Sequence, residues 1–151
     1  MRKNLLDKDC CQSVINRAQN LDAESQPLWG TMSVTEMLHH CSKVHRQVLS
    51  PAGPATQKTS LKQYFFRWMG LYALPRFPKG VQTPKQFRTK GLVDKAAFEA
   101  EKKDFIATVQ LFAAHQNPIN HFHPYFGKLS TQQWGLTSWK HVDHHLRQFG
   151  V

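Results

Sequence analysis

Apolar residues recur every three or four positions in four stretches of the chain, the spacing of one face of an α-helix. These stretches cover, in round terms, residues 7–21, 33–48, 94–115 and 130–149. Ser33 begins the second stretch, and Glu36 three residues later completes the Ser-x-x-Glu pattern of a helix capping box. Gly150 suits the end of the last helix. The pattern therefore predicts an all-α protein built on four long helices.

A long connection, residues 50–93, separates the second predicted helix from the third. It opens with the loop SPAGPATQKTS, and a short helix is expected over residues 61–74. The remainder, LPRFPKGVQTPKQFRTKG, is rich in Pro, Gly and Lys and is expected to be irregular. Four helices joined by one long crossover are typical of a four-helix bundle, and 151 residues fit a single domain over residues 1–151.

The composition is that of a globular protein, with 40% hydrophobic residues and with ten Phe and four Trp to fill a core. No apolar run approaches the roughly 20 residues of a transmembrane helix. The N-terminus, MRKNLLDKDCCQ, lacks the apolar segment of a secretory signal, so we expect a soluble, cytoplasmic protein. Three cysteines without a Cys-x-x-Cys motif argue against a disulfide framework or a zinc ribbon, and Cys41 is expected to be a small buried residue.

The net charge of +10 is concentrated in the long connection. Residues 50–93 contain no Asp or Glu but eight basic residues: Lys58, Lys62, Arg67, Arg76, Lys79, Lys85, Arg88 and Lys90. Such a segment can meet phosphate, an acidic small molecule or an anionic membrane surface. Its aromatic part, YFFRWMGLYALPRFPKG, could form an interfacial helix or bind nucleic acid, or it could cover one end of the bundle. Because no nucleic-acid-binding motif is present, we favour the cover, with its lysines in solvent.

Two of the nine histidines, His141 and His145, lie four residues apart on the last predicted helix. This spacing places both imidazoles on one face, one turn apart, as two ligands of one metal ion require. They border the apolar stripe of that helix, whereas His144 lies further round. The charged residues of the helix are predicted to lie on its far side: Lys140, Asp143 and Arg147. Such a pair also arises by chance, so histidines without a metal remain the alternative from spacing alone.

The second predicted helix offers a third ligand. His40 lies at the edge of its buried arc and is the preferred candidate, while His39 points away and His45, inside the arc, is the reserve. Three imidazoles leave at least one coordination position free, as in a catalytic rather than a structural metal site. Imidazole ligation suits zinc, nickel, iron or copper, and the spacing does not choose among them. The expected occupant is a divalent metal ion, with zinc or nickel named first.

Three further residues are candidates for contact with the predicted site. His121 and His123, in the HFHPYFG loop before the last helix, could approach it from above, although packing of this loop by its own aromatic residues is the preferred interpretation. Pro124 and Gly127 are typical turn residues. Gln148, nearly on the face of His145, could support that ligand or simply lie in solvent.

Two segments resemble a known superfamily. PLWGTMSVTEMLHHC, from Pro27, resembles the second helix of DinB/YfiT-like proteins, and HPYFGKLSTQQWGLTSWKHVDHHLRQFGV, from His123, resembles their last helix with the preceding loop. This ending is similar to a branch of small bacterial proteins named only as a domain of unknown function. The resemblance covers both ends of the chain and is weak over residues 50–93.

The resemblance implies a four-helix bundle and a metal site formed by one His of the second helix and a His-x-x-x-His on the last. Those positions correspond here to His40, His141 and His145. It also implies homodimers in many members. Members with a known activity are mostly metal-dependent thiol transferases or thiol-dependent isomerases that use a low-molecular-weight thiol such as bacillithiol, mycothiol or glutathione.

Two functions from different classes follow from these observations. The first is a metal-dependent enzyme, for example a thiol S-transferase or a hydrolase, that acts on a small-molecule substrate. The second is a non-catalytic binding module whose basic segment, residues 50–93, contacts an acidic partner, nucleic acid or a membrane surface. The first is preferred, and nucleic-acid or membrane contact is the minor expectation.

Overall fold

A computed structural model describes residues 2–81 and 84–151 of the chain. It contains five α-helices: α1 (Lys8–Gln19), α2 (Val34–Leu49), α3 (Leu61–Trp68), α4 (Phe98–Ala114) and α5 (Thr131–Gln148). The shorter elements are a π-helical turn (Met69–Ala73), two 3-10 turns (Lys85–Phe87 and Lys95–Ala97) and the two-stranded pair β1 (Phe122–His123) and β2 (Gly127–Lys128). The prediction of a mostly helical protein is therefore confirmed.

Serine residues fix the start of three helices. The hydroxyl of Ser33 accepts a hydrogen bond from the backbone N–H of Glu36, and the Glu36 carboxylate accepts one from the N–H of Ser33. This is the capping box expected from the sequence, and it satisfies N–H groups that have no partner inside the helix. Ser60 and Ser130 cap α3 and α5 in the same way.

The four longest helices form the core. α1 packs against α4 and α5, and α2 packs against the same two helices, so that each long helix contacts two others. Their apolar stripes meet in a buried cluster whose largest fully enclosed side chains include Phe105, Phe112, Met37 and Leu146. Helix α3 contributes no buried residue to this core and lies instead beside the π-helical turn and β2.

The hairpin of β1 and β2 was not predicted, because strands of two residues are too short to show alternating polarity. Gly127, which the sequence marks as a turn residue, has a φ of +70°, which residues with a Cβ rarely adopt. A Cβ at this position would also lie 2.4 Å from Cγ2 of Thr59. The hairpin can therefore pack against the loop before α3 only if residue 127 is glycine.

Two of the charged residues predicted to lie on the far side of α5 from its apolar stripe are buried. Lys140 donates hydrogen bonds to the carbonyls of Gly70 (2.7 Å) and Leu74 (2.5 Å), at the π-helical turn. Asp143 accepts from Arg17 of α1 and from Arg147, both at 2.9 Å. The polar face of α5 is covered by neighbouring elements, and the buried charges are tolerated because each has hydrogen-bonding partners.

None of the helices within residues 2–81 and 84–151 is both long and apolar enough to cross a lipid bilayer.

The buried stripe of α4 gives a first prediction. Phe105 is fully buried, whereas Leu111 on the same helix is 60% exposed. Phe105→Ala should lower the free energy of unfolding by about 3–5 kcal/mol, because it removes apolar contacts and leaves a cavity. Leu111→Ala, the matched control, should change it by less than about 0.5 kcal/mol. Denaturant titration measures both, and equal effects would contradict this assignment of the core.

Candidate metal centre

Three histidines from two helices meet at one point in the structure. α2 supplies His40, and α5 supplies His141 and His145. One ring nitrogen from each can be chosen so that all three lie within 4.8 Å of one another. The ring centroids are 4.7 to 5.0 Å apart. The structure thus brings together the three residues that the sequence singled out.

The long connection between α2 and α4, here called the crossover, holds the ring nitrogen of His40 that points away from the cluster, its outer nitrogen. Nδ1 of His40 lies 2.8 Å from the backbone carbonyl of Phe87. A carbonyl only accepts hydrogen bonds, so Nδ1 must carry the proton and donate it. In the neutral ring this leaves Nε2 with a free lone pair, and this nitrogen faces His141.

His145 is held in the same tautomer by Gln148. The side-chain N–H of Gln148 donates to the carbonyl of Trp29 at 2.7 Å, which assigns the other side-chain atom, Oε1, as the acceptor. Nδ1 of His145 lies 3.0 Å from this oxygen and therefore donates to it. Nε2 of His145 then carries the lone pair. The sequence interpretation of Gln148 as a support for His145 is confirmed, and that of a solvated Gln is wrong, because Gln148 is buried.

His141 completes the cluster without an outer partner. Its Nε2 lies 3.0 Å from Nε2 of His40. Its Nδ1 is buried and meets no hydrogen-bonding group among the described residues. His141 is thus positioned by packing and by its two neighbouring imidazoles.

All three imidazoles titrate below the ordinary range of histidine. Burial lowers the pKa of His145 to about 3, with His40 as the next cause. Burial, followed by the proximity of His145 and His40, lowers the pKa of His141 well below its usual value. Burial also lowers the pKa of His40, although its hydrogen bond to Phe87 opposes the shift. The three rings are therefore uncharged at neutral pH, the state in which imidazole binds a metal ion.

The donor set fits a divalent transition metal. Two nitrogens bound to one tetrahedral zinc ion at about 2.0–2.1 Å lie roughly 3.3 Å apart. The separation of 3.0 Å between the Nε2 atoms of His40 and His141 is close to this value. The Nδ1 atoms of His40 and His145 carry the ring protons, so the Nε2 atoms have free lone pairs. These lone pairs favour a cation as the ligand of the cluster. Neutral imidazoles suit several such ions, namely zinc, nickel, iron and copper.

The other histidines of α2 and α5 do not join the cluster. His39 faces outward and pairs with Glu101 of α4 at 3.1 Å. His45, the reserve candidate, is fully buried against Phe105 and Phe112, and burial lowers its pKa to about 3. His144 packs edge-on against the Trp29 ring, at 5.8 Å between centroids. None of these three is part of the three-nitrogen cluster.

The two histidines of the HFHPYFG loop lie outside the cluster, and His123 packs against aromatic residues of the loop, as favoured from the sequence. Nε2 of His121 lies 2.9 Å from the carbonyl of Ser50. His123 stacks on Phe126, 4.3 Å between centroids, and its Nδ1 accepts from the N–H groups of Tyr125 and Phe126. Burial lowers the pKa of His123 to about 4. Cys41 is fully buried, as expected, and burial raises the pKa of its thiol.

The backbone of Phe87 is the functional group that sequence reasoning missed. A carbonyl carries no sequence signature, and the surrounding segment was expected to be irregular. The segment is in fact anchored to the start of α2. The Thr89 hydroxyl donates to the carbonyl of Glu36 at 2.9 Å, and the N–H of Gly91 donates to the Glu36 carboxylate. The Glu36 carboxylate, which caps α2, thus also helps to position the segment whose Phe87 carbonyl binds His40.

The family described as Protein of unknown function (DUF1569) matches the chain over residues 1–150. No curated protein and no solved structure gave a significant match.

The hydrogen bond of Gln148 gives a second prediction. Gln148→Leu removes the acceptor that orients His145 and should weaken binding of a divalent metal by about 10- to 100-fold. Gln110→Leu, at an exposed position of α4, is the matched control and should leave the affinity unchanged. Competition titration with a chromogenic chelator measures both affinities. Equal affinities in the two variants would show that Gln148 does not position a ligand.

Proposed function

The chain belongs to the DUF1569 family of proteins of unknown function, and we propose that it is a metal-dependent enzyme acting on a small molecule. His40, His141 and His145 would hold one divalent ion, zinc or nickel. The observation that carries the proposal is the cluster of three neutral imidazoles, two of which, His40 and His145, have their Nδ1 protons directed away from the cluster. Three ligands leave room for a substrate group, which favours a catalytic over a structural role.

We further propose that the fold is a four-helix bundle of the DinB/YfiT-like kind. Three features support this relationship. The four long helices pack so that each contacts two others, a long crossover joins α2 to α4, and the histidines come from the second and the last long helices. Members of that superfamily with a known activity mostly use such a site for thiol chemistry, so a low-molecular-weight thiol is the proposed co-substrate.

When bound at this site, a divalent ion would supply Lewis acidity that favours the deprotonated form of water or of a thiol. The residues of the chain hold and orient this centre. The Phe87 carbonyl and the Gln148 amide fix the tautomers of His40 and His145. The buried surroundings keep the imidazoles uncharged, so that they remain available as ligands at neutral pH.

Basic residues near the cluster suit an anionic co-substrate. Exposed Lys85 begins the 3-10 turn that ends at Phe87, and exposed Lys90 follows shortly after it. Nζ of Lys79 lies 4.1 Å from the centroid of the Trp29 ring, which in turn contacts His144. Glutathione and bacillithiol carry carboxylates, and the positive charge of this part of the crossover favours the approach of such anionic thiols.

The proposal predicts stoichiometric metal binding. Untagged protein equilibrated with zinc or nickel should retain about one equivalent after gel filtration. His40→Ala, His141→Ala and His145→Ala should each lose this metal, because two imidazoles are too few for tight binding. Bound metal is measured by inductively coupled plasma mass spectrometry. Transfer of a thiol to an electrophile should require the metal and fail in the same three variants.

His39→Ala is the matched control, since His39 is the sequence neighbour of His40 and pairs with Glu101 instead. It should retain the full metal content. Circular dichroism checks that every variant is folded. Loss of metal in the control, or retention by any of the three folded variants, would contradict the proposed ligand set.

A further inference from the structure

Helix α3 exposes an apolar face that no described part of the chain covers. Leu61 is 87% exposed, Phe65 and Trp68 are each 57% exposed, and Tyr64 is 50% exposed. At 100° per residue these four side chains fall within one arc of the helix. Large apolar residues grouped on one exposed helical face mark a contact surface.

The polar side of α3 faces the protein, which is the reverse of the usual orientation of an amphipathic helix. The Gln63 side chain donates to the carbonyl of Pro124 at 3.0 Å, and Arg67 donates to the carbonyl of Lys128 at 2.6 Å. Gln63 and Arg67 are one turn apart, opposite Leu61 and Phe65. These hydrogen bonds to the hairpin hold the helix so that its aromatic arc points outward.

Cations border this arc, and the segment around it has no acidic residue. Nζ of Lys62 lies 5.5 Å from the centroid of Phe66, and the Arg67 guanidinium lies 4.5 Å from that of Tyr64. Exposed Lys58 precedes α3 in the chain. No Asp or Glu occurs in residues 50–93. In residues 2–81 and 84–151, none of these three cations forms an ion pair with a carboxylate.

We propose that the outward face of α3 docks the protein on an anionic lipid surface. Exposed aromatic and aliphatic side chains next to Lys and Arg match the interfacial region of a bilayer, where apolar groups enter between the headgroups and cations meet lipid phosphates. Trp and Tyr are the aromatic residues that such interfaces favour.

Charge favours lipid over a second copy of the chain as the occupant. A two-fold contact through α3 would place the same surface of both copies face to face. Lys58 and Lys62 of both copies would then lie in or beside one interface, with no carboxylate from residues 50–93 to neutralise them. A lipid surface instead offers negative charge over the whole contact area. This inference does not rest on the metal centre, because no ligand of that centre lies on α3.

Sedimentation with vesicles tests the proposal. The parent protein should bind phosphatidylglycerol vesicles about tenfold or more tighter than phosphatidylcholine vesicles, and binding should weaken as salt rises from about 0.05 M to about 0.5 M. Phe65→Ser combined with Trp68→Ser should reduce binding about tenfold or more. Leu111→Ser, at an exposed apolar position of α4, should bind like the parent.

Tryptophan fluorescence is a second measurement, and it distinguishes insertion of α3 into the lipid surface from a general electrostatic attraction. Trp68 is the most exposed of the four tryptophans, so its emission should shift to shorter wavelength on addition of phosphatidylglycerol vesicles. The shift should disappear in Trp68→Phe. Absence of binding to these vesicles, or equal binding by the Phe65/Trp68 double variant, would overturn the proposal. A dimer in sedimentation equilibrium that the double variant loses, without lipid binding, would assign the face to a second copy instead.

Discussion

Burial and mutual repulsion both disfavour protonation of three imidazoles that lie in contact with one another inside a protein. Burial keeps His40, His141 and His145 uncharged by lowering their pKa values. An uncharged imidazole still carries one N–H, and a buried N–H without an acceptor costs about 1–3 kcal/mol. The outer acceptors of His40 and His145 are therefore as much a part of the centre as the rings. They determine which nitrogens keep free lone pairs.

These acceptors link the cluster to parts of the chain that are distant in sequence. The Phe87 carbonyl belongs to the crossover, which is fixed in turn by hydrogen bonds to Glu36 of α2. Gln148 accepts from His145, and it also binds the loop before α2, through the carbonyl of Trp29 and the N–H of Leu28. The segments around the helices thus serve to position two rings, and the long crossover is more than a connection.

Helical periodicity was enough to predict the long helices and to identify the three histidines, because the buried stripes and the spacing of His141 and His145 both follow from 3.6 residues per turn. It did not reveal groups that act through the backbone, such as the Phe87 carbonyl. It placed Lys140 on the far side of α5 but did not predict that this residue is buried, because the burial of its amine depends on the π-helical turn packed over α5. The orientation of α3 was equally hidden, since hydrogen bonds to the hairpin rather than apolar packing decide it.

A crystal structure of the zinc-loaded protein, with diffraction measured on both sides of the zinc absorption edge, tests the central claim most directly. The account predicts one anomalous peak about 2.0–2.1 Å from a ring nitrogen of each of His40, His141 and His145. It also predicts that the hydrogen bonds of His40 to Phe87 and of His145 to Gln148 persist in the loaded state. A peak ligated by other residues, or zinc bound only at the surface, would contradict the assignment of these three histidines as a metal centre.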